Sequence, residues 1–263
     1  MGARPLSRLR ARCPDCRTLT AVALGPEYQC HSCGRVYGAG LVRVPRAWGV
    51  GGECMAAAAW LELPYPEASV VDEATLAEQT LALAVGLPDR PLVLGGCCCA
   101  HVGAVEGLAQ VAETLAVVWI DAHGDLNTPA SSPSGNAWGM PLRTLIDSGV
   151  VRPENVALVG ARALDPPEEE FLRSSRVHTG DGAPGRALEG ADAVYVALDC
   201  DSVEPGELEV FMPEPEGLRL DELEALLRGI AARRRIAGAG LTGLVAATEN
   251  EPKLARLCAA LGV

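Results

Sequence analysis

The chain has 263 residues, enough for one large α/β domain or a mid-sized domain with a small module, and either length buries a substantial core. A formal charge of −12 argues against a phosphate-binding surface over the chain as a whole, because nucleic acid is held by basic excess. Hydrophobic residues make up 49 %, yet no apolar run reaches the roughly 20 residues of a membrane-spanning helix, and the basic start MGARPLSRLRAR lacks the apolar stretch of a secretory signal. A cytoplasmic protein with no nucleic-acid or membrane partner is expected, with the basic cluster from Arg4 to Arg17 read as a solvated tail.

Ten cysteines in such a chain read as thiols or metal ligands before disulfides. The first element is a pair of CxxC knuckles, Cys13 with Cys16 and Cys30 with Cys33, separated by TLTAVALGPEYQC, which predicts two short strands around a turn at Gly25 and Pro26. Four thiolates so spaced match a tetrahedral zinc site. Four protein ligands leave zinc no open position, so the ion is expected to be structural; a redox dithiol is the alternative. The zinc ribbon is expected over residues 1–42 and a larger domain over 43–263.

From about Arg46 the pattern becomes apolar strands alternating with amphipathic helices, which predicts a parallel sheet with helices on its faces. PLVLGG, LAVVWIDA, NVALVGA, AVYVALDCD and GAGLTGLV read as strands, and VRVPRAW as a further candidate. DEATLAEQTLALAVG, AHVGAVEGLAQVAETL and LDELEALLRGIAARR read as helices. Ligands of open α/β sheets gather at the carboxyl ends of strands, and this chain's carboxylates sit there.

Directly after LAVVWI stand Asp121, His123 and Asp125, and YVAL runs into Asp199 and Asp201. Alternate positions of extended backbone share a face, so each set can converge on one metal cluster. Carboxylates with one imidazole suit Mn²⁺ and related divalent ions, and such a carboxylate group is costly to bury without a cation. A lone Asp at a strand end is ordinarily a helix cap or a turn residue. The paired D-x-H-x-D and D-x-D arrangement is not accounted for in that way.

DAHGDLNTPASSPSGN, VGARALDPPE and LDCDSVEP, in that order, resemble the successive motifs of the ureohydrolase family of arginases, agmatinases, guanidinobutyrases and formiminoglutamases. The resemblance runs from roughly Leu92 to Leu218 and loosely beyond. It implies a three-layer α/β/α parallel sheet, arginase-like, preceded here by the ribbon. It also implies two manganese ions sharing a hydroxide that attacks a guanidinium or formimino carbon of a small-molecule substrate. By the resemblance Asp121 and Asp199 bridge both ions, Asp125 completes one site, and His123 and Asp201 complete the other. Asp125 and His123 are the candidates for the catalytic step.

The remaining metal ligand of the family, a histidine, falls at Cys98 within GGCCCAHVG. A thiolate there keeps a ligand and shifts preference toward zinc, iron or cobalt; His101, one helical turn on, is a second candidate; otherwise Cys97 to Cys99 are small buried residues. Asn127, Ser134 and Asn136 match the positions with which arginases hold a substrate α-carboxylate, and Asp165 matches the carboxylate facing the α-amino group. The two asparagines are equally good loop formers. Arg162 and Glu168 are read as organisers of the loop or of subunit contacts, and a homo-oligomer, trimer or hexamer, is implied by the resemblance.

Two departures bear on chemistry. Trp138 stands where arginases and agmatinases carry a histidine that shuttles protons, and indole cannot donate and recover a proton near neutral pH. Val245 stands where the family holds the guanidinium with a glutamate, with Glu249 and Glu251 several residues beyond. The expected function is a metal-dependent hydrolase of a C–N bond in a small guanidino, amidino or formimino compound. The alternative is a catalytically impaired relative that binds a ligand or serves as a scaffold.

Overall fold

The structure, a computed structural model, describes residues 10–263; the parts of the basic N-terminal cluster and of the expected 1–42 ribbon that precede Arg10 lie outside the described residues. The described chain opens with a small antiparallel sheet of β1 (Arg10–Ala11), β2 (Ala21–Leu24), β3 (Glu27–Cys30) and β4 (Val36–Tyr37), paired in that order. The β2–β3 hairpin turns through Gly25 at φ +66° and Pro26, where the sequence predicts it. Its buried cluster is only Ala11, Cys13, Ala21, Tyr28 and Cys30, so so small a sheet needs outside support.

Part of that support comes from the second sheet. Arg12 and Glu67 exchange two backbone hydrogen bonds, each 3.0 Å, and Tyr28 lies over Gly40, where a Cβ would come within 2.6 Å of the Tyr28 ring. Only glycine lets the ribbon approach this closely.

The second sheet has seven parallel strands: β5 (Gly40–Val44), β6 (Glu67–Val70), β7 (Pro91–Gly95), β8 (Leu115–Ile120), β9 (Val156–Val159), β10 (Ala193–Asp199) and β11 (Arg235–Thr242), in the order β6-β5-β7-β11-β10-β8-β9. The strand expected in VRVPRAW begins earlier, at Gly40, so the parallel sheet starts ahead of residue 43. Nothing in EASV signals β6, a half-exposed edge strand. LAVVWI and AVYVALD are buried at every position, which explains why central strands covered on both faces read as unbroken apolar runs.

Eight α-helices accompany the strands among the described residues: α1 (Glu53–Ala58), α2 (Leu76–Gly86), α3 (Ala100–Ala109), α4 (Pro141–Asp147), α5 (Pro166–Ser174), α6 (Ala183–Ala187), α7 (Leu220–Ala231) and α8 (Asn250–Ala260). Helix α2 starts where Thr75 and Glu78 cap one another, with Glu78 N donating to Thr75 Oγ1 at 3.2 Å and Thr75 N donating to Glu78 Oε2 at 3.1 Å. Ala116, Val118 and Ile120 of β8 pack in one core with α6, α7 and α8, whereas Val117 and Trp119 pack in another with α2, α3 and α4. The result is the expected three-layer α/β/α architecture.

The strand order makes β7, β11, β10 and β8 the four adjacent central strands. Their carboxyl ends therefore lie side by side although they come from distant parts of the sequence, which is where an open α/β sheet gathers a ligand. No helix among the described residues is long and apolar enough to cross a membrane.

Candidate metal centre and substrate cavity

Four loops meet at those carboxyl ends, carrying Cys98 after β7, Asp121 to Asp125 after β8, Asp199 and Asp201 at the end of β10, and Gly243 after β11. Each strand-end aspartate closes a turn on its own backbone: His123 N donates to Asp121 Oδ1 at 2.7 Å and Asp201 N donates to Asp199 Oδ1 at 3.0 Å. The extended backbone expected through these motifs stops at Ile120 and Asp199. Cys200–Ser202 forms a 3-10 turn, and Asp125 adopts φ +53°, a left-handed conformation that aspartate tolerates better than most residues. It is these turns that bring Asp121, His123, Asp125, Asp199 and Asp201 into one cavity of about 440 Å³.

Two overlapping donor groups result. Cys98, Asp121 and Asp125 form one, and Asp121, His123 and Asp201 the other; within each, the ligand atoms lie within 4.8 Å of one another, and Asp121 belongs to both. Asp199 adjoins the first through Cys98, whose Sγ donates to Asp199 Oδ2 at 2.8 Å. His123 Nδ1 lies 3.0 Å from Asp201 Oδ2 and 3.4 Å from Asp121 Oδ1, while its Nε2 faces Glu214 Oε1 at 3.8 Å.

The electrostatics are severe. All four aspartates are at most 6 % exposed, and no lysine or arginine among the described residues lines the cavity. Burial, and then the charge of Asp201, pushes the Asp199 carboxyl up to about 7. Burial, then Asp121 and Asp199, holds Asp125 well above the ordinary carboxylate range. Asp121 and Asp201 are raised too, by burial first. His123 goes the other way: burial opposes its charge, but the hydrogen bonds and charges of Asp121 and Asp201 overcome this and lift it to about 12. One imidazolium cannot balance four carboxylates, and Asp125 Oδ2 is buried without any hydrogen-bond partner. A donor set of buried oxygens, one ring nitrogen and one sulfur fits divalent cations.

Cys98 points into this cluster, with Sγ 3.7 Å from Asp121 Oδ2, and its thiol is driven up by burial and then by Asp125 and Asp199. His101 does not reach it. Its Nδ1 is 3.0 Å from the Tyr195 hydroxyl and its Nε2 3.1 Å from Thr242 Oγ1, so both ring nitrogens are engaged behind the cluster and His101 is no substitute ligand. Nor do the distal glutamates come in. Glu249 precedes α8 on the surface, and Glu251 Oε1 accepts from Glu62 N on the ribbon side.

Asn127, Ser134, Asn136 and Asp165 all line the same cavity. Part of their capacity is spent on the loop: Asn127 Nδ2 donates to Asp165 Oδ2 at 2.8 Å, Ser131 Oγ donates to Asn127 Oδ1 at 2.9 Å, and Asn136 Oδ1 accepts from Val50 N at 3.0 Å. Glu168 is held by Leu126 N at 2.8 Å and Asp165 N at 2.9 Å. Arg162 spreads its guanidinium over the carbonyls of Gly160, Asp201, Ser202, Glu214 and Pro215, so it ties three loops together beneath the cluster.

The apolar part of the lining is signalled in the sequence only at Trp138. Trp138 stands edge-on to Phe211, ring centres 5.8 Å apart, and Met55, Met212 and Leu164 continue the apolar lining. Phe211 and Met212 lie in a loop whose sequence carries no periodic signal. Thr242 and Gly243 had one available signal, a polar residue and a glycine at the end of an apolar strand.

In the ribbon, the four sulfurs of Cys13, Cys16, Cys30 and Cys33 form a compact group, with Cys13 Sγ 3.7 Å from Cys33 Sγ and Cys16 Sγ 3.5 Å from Cys30 Sγ. A hydrogen bond from Thr20 is the main influence lowering the Cys30 thiol to about 5.

A model of the arginase family matches residues 61–261. The chain belongs to the arginase family. An arginase of Staphylococcus aureus is 37 % identical over 142 residues, covering 44 % of this chain and 47 % of that protein, so the chain spans about half the length of the curated relatives it matches. The solved structure of arginase from Bacillus caldovelox superposes with a TM-score of 0.71 and 26 % identity over 85 % of this chain and 96 % of that one. Formimidoylglutamase from Bacillus subtilis superposes with a TM-score of 0.67 at 18 % identity over 85 % and 87 %, a likeness of fold.

Three positions singled out in the sequence are placed as follows. Cys98, after β7, turns its sulfur to the aspartates. Trp138, 9 % exposed, lines the cavity with a side chain that does not titrate. Past β11, Val245 N bonds to Glu209 O and supplies no carboxylate, so Asp165 and Glu168 are the acidic groups lining the cavity outside the four-aspartate cluster.

Proposed function

We propose that the chain is a metal-dependent hydrolase that cleaves a C–N bond in a small guanidino, amidino or formimino compound with an amino-acid-like end. The single observation behind this reading is the cluster of four buried aspartates, with an orphaned Asp125 Oδ2 at the floor of an open cavity. Asp121 and Asp199 would be shared between two divalent ions, Cys98 and Asp125 would complete one site, and His123 and Asp201 the other. When bound, the ions supply the charge that the carboxylates require and lower the pKa of water toward neutrality. Sulfur at Cys98 favours zinc, iron or cobalt over manganese at its position.

The chain's own groups do the rest. Asp125, which lines the cavity and keeps a buried, unpartnered Oδ2, is placed to hold a proton there. His123, backed by Asp201 and by Glu214, keeps a donor at the other end. Asn127, Ser134, Asn136 and Asp165 orient the polar end of the substrate. Trp138 and Phe211 supply an apolar stretch of the cavity wall. The ribbon carries one structural zinc on Cys13, Cys16, Cys30 and Cys33, and the α/β body carries the chemistry.

Metal analysis of the full chain, joined to a screen for urea, ammonia and formamide release, tests the proposal. Three metals per chain are expected, falling to one in Asp121→Ala and Asp199→Ala, which also abolish release. Full occupancy with no turnover on any compound would favour the second reading, a ligand-binding relative; the observation on its side is Trp138, which has no proton to exchange. Light scattering tests the trimer or hexamer.

A further inference from the structure

Behind the cluster lies a buried hydrogen-bonded chain that the proposed chemistry does not use. Tyr195 on β10, His101 on α3 and Thr242 at the end of β11 are each fully buried, linked at 3.0 Å and 3.1 Å. Thr242 Oγ1 in turn lies 3.3 Å from Asp199 Oδ2 and 3.4 Å from Cys98 Sγ, with the Leu198 carbonyl also at 3.4 Å.

Counting protons gives the chain a direction. Burial holds His101 neutral, its pKa lowered to about 3, so its ring has one N–H and one acceptor nitrogen. The Tyr195 hydroxyl has His101 Nδ1 as its side-chain partner, and leaving that buried O–H undonated would be costly. With Tyr195 donating to Nδ1, the His101 proton sits on Nε2 and donates to Thr242 Oγ1. The Thr242 proton is then free for the Asp199 carboxylate at 3.3 Å, and a charged acceptor makes the stronger bond.

The same imidazole braces a second donor. His101 stands edge-on to Trp119 with centres 5.1 Å apart, and Trp119 Nε1 donates to Asp121 Oδ2 at 3.1 Å. Thus one buried ring backs the donors to Asp121 and to the Asp199 and Cys98 pair. Metal sites are commonly tuned by such outer partners, which fix ligand orientation.

We propose that Tyr195, His101 and Thr242 form a positioning relay that aims Cys98 and Asp199 at a divalent metal, with the Thr242 hydroxyl as its working end. The proposal rests on Cys98 and Asp199 being metal ligands, and the test separates the two ideas. The full chain is titrated with Co²⁺, and the near-ultraviolet thiolate-to-cobalt absorption that disappears in Cys98→Ser is taken as the signal; absorption persisting in that variant belongs to the ribbon and serves as an internal check of folding.

Thr242→Val, which removes the hydroxyl at nearly constant volume, is expected to shift the Cys98-dependent band and weaken Co²⁺ binding there ten- to a hundred-fold, the usual cost of losing an outer partner. Thr242→Ser restores both, and Tyr195→Phe moves both in the same direction by less. If Thr242→Val fails to fold, Tyr195→Phe carries the test alone. A wild type with a Cys98-dependent band, and Val and Phe variants identical to it, overturns the relay and leaves the ligand reading standing. A wild type with no Cys98-dependent band overturns both.

Discussion

The Cβ that Gly243 lacks would lie 2.0 Å from Asp199 Oδ1, and Gly243 itself holds φ +72°. The glycine thus leaves the space into which the aspartate turns to accept from Asp201 N. Gly243→Ala adds both a backbone strain and a collision with a group whose other oxygen is already bonded to Cys98. It is expected to lower stability by about 1–3 kcal/mol, as backbone strain of this kind costs, and to weaken divalent-metal binding at the cluster. Chemical denaturation and metal titration check it, and a variant matching wild type in both contradicts the tight fit.

The cluster also sets a pH dependence. A carboxyl whose folded pKa is raised stabilises the folded chain fully only below its unfolded value, 3.8 for aspartate, and that contribution is lost as pH climbs through the folded value, about 7 for Asp199. His123 has the same sign, its contribution complete below 6.5 and fading as pH rises toward about 12. The metal-free protein is therefore expected to melt at a lower temperature near pH 8 than near pH 5.5. Added divalent metal raises the melting temperature most at the higher pH, because binding to the folded state stabilises it. Asp199→Asn flattens the metal-free slope. A metal-free profile that rises with pH runs against the placement of these charges.

Trp138 fills its wall from both sides, against Phe211 and against Gly49, where a Cβ would come within 2.3 Å of its ring. Truncation to alanine is expected to cost about 3 kcal/mol, the lower end for a large buried aromatic, and to enlarge the cavity. Trp138→Phe costs less than half of that. Denaturation midpoints for the two variants decide it, and equal losses would mean that the cost does not follow the volume removed.

The ribbon makes a prediction of its own. Cys30→Ser removes one of four sulfurs and is expected to release one zinc per chain while leaving the metal content of the aspartate cluster intact, since the ribbon joins the body through Arg12 and Glu67, on the far edge from β8. Atomic absorption after desalting checks this. Loss of the cluster's metals in the same variant would mean that the two centres are coupled.

Much of the site was legible because its residues stand at the ends of strands that are apolar throughout. LAVVWI ending in Asp121 and YVAL ending in Asp199 announce buried strands with charges at the carboxyl end, and parallel sheets collect ligands there. Three features were not legible. The left-handed turn at Asp125 comes from loop closure, which leaves no periodic trace. The diversion of His101 away from the cluster depends on β11 lying between β7 and β10, an adjacency that sequence order hides. Trp138 could be seen to lack a proton to exchange, but its partner Phe211 arrives from an irregular loop more than seventy residues later. Glu249 and Glu251, several residues beyond the last strand, stay away from the site because the turn at Gly243 leads the chain on toward α8.

The backbone pairing of Arg12 with Glu67 has a consequence for the protein in a crowded solution. The outermost strand of an open sheet is a template on which a strand from another copy can add, and growth of that kind ends in fibres. By laying its first described strand segment across β6, the ribbon occupies part of that template with the chain's own backbone. The small cysteine-bearing sheet thus serves as a stopper against runaway sheet extension, and if it holds the proposed zinc, a chain stripped of that metal is expected to aggregate sooner than its fold alone would suggest.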